Sequence, residues 1–274
     1  MPMRVHIFDV EHGECNAIET PSGDLMLIGV GHNGTTGWRP SSWLARRAQR
    51  PSCLVLSNLD RDHLSDLPNF EPALRPNLIV RNRNIDPTWL ARKKLEESGE
   101  IAEAMSTAIR WMGQVFTGTP VALNYGIEAR FFYHSPALFQ DTNNLSVVSF
   151  VRHNGCGLMF PGDMEKAGWQ AFLSDSVFVD CLRRTNILIA SHHGREGGYC
   201  EEMFSDGGCA PHAVIISDKA VVHDTQCHNL YGAHCAGLHF GQSIRRVLTT
   251  RSDGKITIEV PDDGHYVVHI NQSY

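Results

Sequence analysis

Three apolar runs in this chain stop abruptly, and each stops in side chains that hold metals or move protons. CLVLS (53–57) runs into Asn58-Leu59-Asp60-Arg61-Asp62-His63. GLMFP (157–161) runs into Gly162-Asp163, and NILIA (186–190) into Ser191-His192-His193-Gly194. Short, fully apolar runs read as strands buried on both faces, which need a covering layer on each side. Strand ends in a packed α/β protein converge on a common rim, where ligands bind. These three endings therefore constrain both the fold class and the place to look for chemistry.

The rest of the pattern fits a layered protein. RVHIFDV (4–10) and CNAIET (15–20) alternate, and DLMLIGV (24–30) is a buried-looking run, with PSG (21–23) as the turn between the last two. SSWLARRAQR (41–50) has helical spacing, and LIVRN (78–82) is another short strand. Residues 86–118 read as helix with a break near Gly99; Asp86 caps it and Pro87 takes the first helical position. EARFFYHS (128–135) and LSVVSFVRH (145–153) return to strands, and EKAGWQAFLSDS (165–176) reads as helix. HAVIISD (212–218) is a further strand, 225–240 a His-rich helix, and ITIEV and YVVHI close the chain as strands. Two strand-rich halves that each feed helices imply two sheets face to face with helices outside, a four-layer α/β/β/α sandwich. A doubly wound parallel sheet is the rival, and the hairpins at PSG and HNG (153–155) argue against it.

At 274 residues and 42% apolar content the chain can bury a full core, and nothing in it reads as a linker or a repeat, so residues 1–274 are expected to form one domain. No apolar run approaches the roughly 18 residues of a membrane span, and the start shows no secretory pattern. The eight cysteines form no C-x-x-C pair, which argues against a zinc knuckle and suits buried thiols in a reducing cytoplasm. Net charge of −6 argues against broad non-specific nucleic-acid binding, and the short basic clusters read as solvated helix faces. Fifteen histidines make imidazole chemistry the notable resource. Those at 228, 234 and 239, with Cys235, match no standard zinc spacing.

Asn58 and Asp60, two apart in a tight loop, can face one ion. Asp62 and His63 can face a second position, and Asp163 from another strand can bridge two. Imidazole in such a set favours Zn²⁺, and hard oxygen donors favour Mn²⁺ or Mg²⁺. Each ending also has a plain structural reading. Asp62 and His63 can cap a helix from Leu64, Asp163 can cap the helix after it, and His192-His193 can be a surface turn. The joint occurrence of all three at strand ends favours one site.

The sequence resembles a metallo-β-lactamase-fold hydrolase, and more narrowly the hydrolase domain of the ComEC-type DNA-uptake family. Asp9-Val10-Glu11-His12-Gly13-Glu14-Cys15 stands where that family has D-V-G-x-G-D-A, and Leu27-Ile28-Gly29-Val30-Gly31 where it has L-I-D-A-G. Asn58 to His63 matches H-x-D-x-D-H, and Asn143 to Val148 matches N-x-x-S-x-V. Met159 to Asp163 matches L-x-T-G-D, and Ser191 to Arg195 matches P-H-H-G-S. Val222-His223-Asp224 is the counterpart of a G-H-P segment, and Thr250 to Ile256 matches T-x-x-D-G-x-I. The resemblance implies a metallo-β-lactamase fold and the ligands Asp60, Asp62, His63, Asp163 and one of His192 and His193, with a preference for His192. It also gives Asp62 the task of orienting the attacking water. His223 becomes the candidate proton donor or phosphate binder. Asn58 in place of a histidine and Gly29 in place of an aspartate make the first metal position poorer in ligands, so one ion or a preference for Mn²⁺ becomes plausible. The implied activity is metal-dependent hydrolysis, with a phosphodiester in nucleic acid or a nucleotide as substrate. Hydrolysis of a small ester, thioester or lactam is the alternative, and a catalytically weakened binding or regulatory protein is a third.

Overall fold

The computed structural model describes residues 1–119, 122–219 and 226–272. Its strands, in chain order, are β1 (Met3–Ile7), β2 (Asn16–Glu19), β3 (Leu25–Ile28), β4 (Cys53–Val55) and β5 (Leu78–Val80). Then follow β6 (Glu128–Phe132), β7 (Val148–His153), β8 (Cys156–Phe160), β9 (Ile187–Ile189) and β10 (Ala213–Ile216). The last are β11 (Leu238–Phe240), β12 (Ser243–Arg245), β13 (Val247–Thr249), β14 (Lys255–Val260) and β15 (Val267–Gln272). A seven-stranded sheet has the order β15-β14-β1-β2-β3-β4-β5, and a six-stranded sheet the order β13-β10-β9-β8-β7-β6.

The two sheets share one core. Val5, Ile7, Ile18, Met26, Ile28 and Val55 from the first pack with Val151, Leu158, Phe160, Ile187, Ile189 and Ile215 from the second, and no helix contributes to this cluster. The opposite face of the first sheet is covered by helices carrying Trp43, Leu44, Leu90, Met105 and Ala108. The opposite face of the second is covered by helices carrying Trp169, Phe178, Cys181, Leu182 and Tyr231. The fold is therefore the four-layer α/β/β/α sandwich. Each fully buried aliphatic or aromatic side chain adds about 1.5–3 kcal/mol, so the three clusters carry the stability.

Strand direction decides where the chemistry collects. β3, β4 and β5 are mutually parallel, and β1 runs with them because two antiparallel pairings separate it from β3. In the other sheet β8, β9, β10 and β13 are parallel. The C-terminal ends of β1, β3 and β4 thus open onto one rim of their sheet, and those of β8, β9 and β10 onto one rim of theirs.

The expected elements differ from the observed ones mainly in the second half. Residues 165–176 are not one helix: Lys166–Phe172 ends, and Asp175 accepts from the Val177 and Phe178 amides to start a second, Ser176–Arg183. The expected helix over 225–240 reduces to His228–Ala233, and residues 238–240 are strand β11 in a small hairpin with β12. Gly237, at positive φ, leads into β11 after the helix has ended at Ala233, and Gly241, also at positive φ, lies in the turn of the hairpin. Among the described residues no helix is long and apolar enough to cross a membrane.

Candidate metal centre

Asp62 and His63 sit in a four-residue helix, Arg61–Leu64, that follows β4. Neither is its N-cap, which is Asp60, and Asp60 makes no capping bond there. Backbone contacts fix this turn. The Val30 amide donates to the His63 carbonyl at 2.7 Å, and the Asp66 amide to the Val30 carbonyl at 3.0 Å. Gly13 and Gly31 press on the Asp62 carbonyl oxygen so closely that a Cβ at either position would overlap it. Only glycine lets three backbone segments meet here.

Asp163 follows Gly162 (φ 59°) at the end of β8, and its amide donates to Ser146 Oγ at 3.2 Å. It caps nothing, since the next helix has Glu165 as its N-cap. After β9 the chain enters a left-handed turn in which His192 (φ 49°), His193 (φ 55°) and Gly194 (φ 73°) follow one another. A non-glycine residue in this region costs of order 1–3 kcal/mol, and such residues cluster at functional sites. The His192 amide anchors the turn on the Gly162 carbonyl at 3.1 Å.

These turns bring Asp62, His63, Asp163 and His193 together, with one ligand-type atom from each lying within 4.8 Å of all the others. His63 Nε2 is 3.1 Å from Asp163 Oδ1 and 3.9 Å from Asp62 Oδ2. His193 Nε2 is 3.1 Å from Asp62 Oδ2 and 3.5 Å from Asp163 Oδ1. His63, Asp163 and His193 are buried, whereas the Asp62 side chain is 40% exposed. His63 Nε2 and Asp163 Oδ1 are buried and find no hydrogen-bond partner outside the cluster, so their polar needs fall on one another or on a bound group. Two imidazoles and two carboxylates aimed at one point fit a divalent ion.

The electrostatics agree with that geometry. Burial pushes the Asp163 carboxyl up, but the His63 and His193 charges outweigh it and hold the group below the usual carboxylate range. Burial likewise pushes Asp62 up, and His63 with the His193 hydrogen bond brings it down. For His63, burial disfavours the charged form, yet the Asp163 and Asp62 carboxylates raise it well above its ordinary 6.5.

A fifth residue completes the centre, and sequence reasoning did not single it out. Glu14 is buried and accepts from His63 Nδ1 at 3.2 Å, from Asn16 Nδ2 at 3.2 Å and from the Ser57 hydroxyl. A carboxylate behind an imidazole fixes its tautomer and raises its basicity as a ligand. The available signal was an acidic residue at position 14 of the D-V-G-x-G-D-A resemblance.

The other sequence candidates stand apart. Asn58 is buried but donates to Asn143 Oδ1 at 3.2 Å. Asp60 is held by Lys94 at 2.5 Å and Thr142 at 3.1 Å. His192, preferred over His193 from sequence, instead lies 3.3 Å from Glu165, because consecutive residues of the left-handed turn point in different directions. His223 lies outside the described residues. A depression of about 340 Å³ lined by Glu11, His12, His32, Arg61, Asp62 and Ser65 opens beside the centre. A larger cavity, about 540 Å³, lies elsewhere, between β5 and β6, and touches none of the four donors. The depression is the one relevant to chemistry, because an exposed donor of the centre forms part of its wall.

Two facing sheets, their helical covers and a donor cluster at the rim define a four-layer α/β/β/α protein with a candidate metal centre. No protein-family model matches the chain, and no curated protein does. Similar solved structures include Igni18, a novel metallo hydrolase from the hyperthermophilic archaeon Ignicoccus hospitalis, at 11% identity over 98% of both chains with a TM-score of 0.48. The hydrolase AbOPH of the beta lactamase superfamily matches at 19% identity over 54% of this chain with a TM-score of 0.37, and the match spans 55% of its own length. Zn²⁺-bound PqqB from Methylobacterium extorquens matches at 11% identity over 72% of this chain and 64% of its own, with a TM-score of 0.39.

Proposed function

We propose that this protein is a metal-dependent hydrolase that takes a phosphodiester, in nucleic acid or a nucleotide, as its substrate. The observation that carries this reading is the cluster of four donors itself, in which the buried His63 Nε2 and Asp163 Oδ1 face each other at 3.1 Å with no partner outside the cluster. A Zn²⁺ or Mn²⁺ ion bound there supplies Lewis-acid polarisation and a water of lowered pKa. His63, His193 and Asp163 would hold the ion, and Glu14 keeps the His63 ring in position. Asp62, the exposed member, also offers its carboxylate to orient the attacking water. The adjoining depression is lined by His12, His32, Glu11 and Asp62 together with the exposed Arg61, and the Arg61 guanidinium is the group there suited to an anionic substrate. Eight free, buried cysteines support a reducing, cytoplasmic location.

The test is metal content by mass spectrometry, together with hydrolysis of bis(p-nitrophenyl) phosphate with added Zn²⁺ or Mn²⁺. No bound metal and no hydrolysis with either ion overturns the reading. The net charge of −6 favours a second reading, hydrolysis of a small ester, thioester or lactam, because a nuclease acting on a polymer presents a basic groove. Activity on a polynucleotide that falls steeply with salt separates the first reading from the second.

A further inference from the structure

The sequence offers Asn58 and Asp60 as ligands of a second ion position beside the four-donor centre. The structure commits both side chains elsewhere. Asp60 uses both carboxylate oxygens: Oδ1 lies 2.5 Å from Lys94 Nζ, and Oδ2 accepts from Thr142 Oγ1 at 3.1 Å. The Lys94 side chain is 13% exposed and also meets Glu97 at 3.2 Å, so it is well fixed. Asn58 donates to Asn143, Asn143 donates to Glu165 at 2.9 Å, and Glu165 lies 3.3 Å from His192. The Asn58 amide oxygen is left over, buried and without a partner. One neutral amide oxygen falls far short of the four or more donors that a divalent ion takes. Among the described residues, Asp62, His63, Asp163 and His193 form the only metal-ligand cluster.

We propose that this protein holds a single ion, and that the Lys94 ammonium stands at Asp60 in place of a second one. The inference rests on the metal-centre reading above and fixes its stoichiometry. A carboxylate at a half-shielded rim needs a counter-charge. Lys94, on helix Pro87–Ser98, supplies that charge covalently, whatever the metal supply. A dication approaching Asp60 must displace the ammonium and then face its repulsion at short range.

Full-length protein stripped with a chelator is dialysed to equilibrium against Zn²⁺ or Mn²⁺, and metal per chain is counted by mass spectrometry. We expect one equivalent in the wild type and one in Asn58→His, where Lys94 still holds Asp60. The double variant Asn58→His/Lys94→Met, which offers an imidazole and a freed carboxylate, is expected to take two. Lys94→Arg, which preserves the charge, is expected to take one. Two equivalents in the wild type or in Lys94→Arg overturns the single-ion claim. Two in Asn58→His alone, or one in a folded double variant, overturns the part assigned to Lys94. Zero in the wild type overturns the metal-centre reading itself, and with it this inference, an outcome distinct from all the others.

Discussion

Glu14→Gln isolates the residue that only the structure revealed. The native carboxylate serves three donors: His63 Nδ1–H and the Ser57 hydroxyl at Oε2, and the Asn16 amide at Oε1. Glutamine has the same shape but one acceptor oxygen and no charge. If that oxygen faces His63, its NH₂ group faces the Asn16 NH₂, and Asn16 must turn over. The hydrogen bond to His63 survives as a neutral one, so the opposite ring nitrogen becomes a weaker ligand. Substitutions of this kind cost about 10–100-fold in metal affinity, or about 1.4–2.8 kcal/mol. The metal-free fold should lose less, about 1–2 kcal/mol, because a charge-assisted bond becomes a neutral one. Competition against a chromophoric chelator gives the affinity, and urea denaturation of the metal-free protein gives the stability. An unchanged affinity would refute the reasoning. So would a loss of stability large enough to explain the lost affinity by unfolding alone.

Three further outcomes are expected. In the metal-free protein the raised His63 contributes full stability below about pH 6.5, and that contribution is lost as pH rises through its folded value. The lowered Asp163 contributes above about pH 3.8, and its part is lost as pH falls through its folded value. Chelator-treated protein should therefore melt lower as pH rises above neutrality while ion-loaded protein holds, and thermal melts that show the reverse would sink the argument. Gly31→Ala drives a methyl group into the Asp62 carbonyl, so it should cost about 1–3 kcal/mol in urea denaturation and weaken ion binding. Arg61→Gln should raise KM for a phosphodiester by roughly tenfold, as expected for losing a charged hydrogen bond. It should leave kcat and the KM for a neutral ester nearly unchanged, and equal effects on both substrates would remove Arg61 from anion recognition.

What could be read from sequence was local. The alternation of RVHIFDV appears as the burial pattern of β1, in which Met3, Val5 and Ile7 are buried. The turns at PSG and HNG join β2 to β3 and β7 to β8 as antiparallel pairs. Asp86, Pro87 and Gly99 bound a helix because capping and a left-handed stop are properties of the residues themselves. What could not be read depends on partners far along the chain. Glu14 meets His63 across 49 positions, and Lys94 meets Asp60 across 34. The choice between His192 and His193 turned on two consecutive left-handed residues, a conformation that tertiary packing imposes and histidine does not advertise. β11, β12 and β13 are three residues each, too short for alternation to register.

The centre draws equally on both sheets, and that arrangement bears on how it works. Asp62 and His63 follow β4 of the seven-stranded sheet, while Asp163 and His193 follow β8 and β9 of the six-stranded one. Bonds that need no ion already join the two sides of the rim. The Val147 amide donates to the Ser57 carbonyl at 2.7 Å, and Ser217 Oγ to the Gly13 carbonyl at 2.8 Å. Two of the four donors are imidazoles, so an empty centre is not four carboxylates held together. An ion that bound such a site would find its donors already assembled. Its binding energy then appears as added stability, about 2.7 kcal/mol at a hundredfold excess over Kd, and little of it is lost to reorganisation. The four donor side chains are thus held from both sides of the rim by bonds that need no ion, the preorganisation that the proposed activity requires.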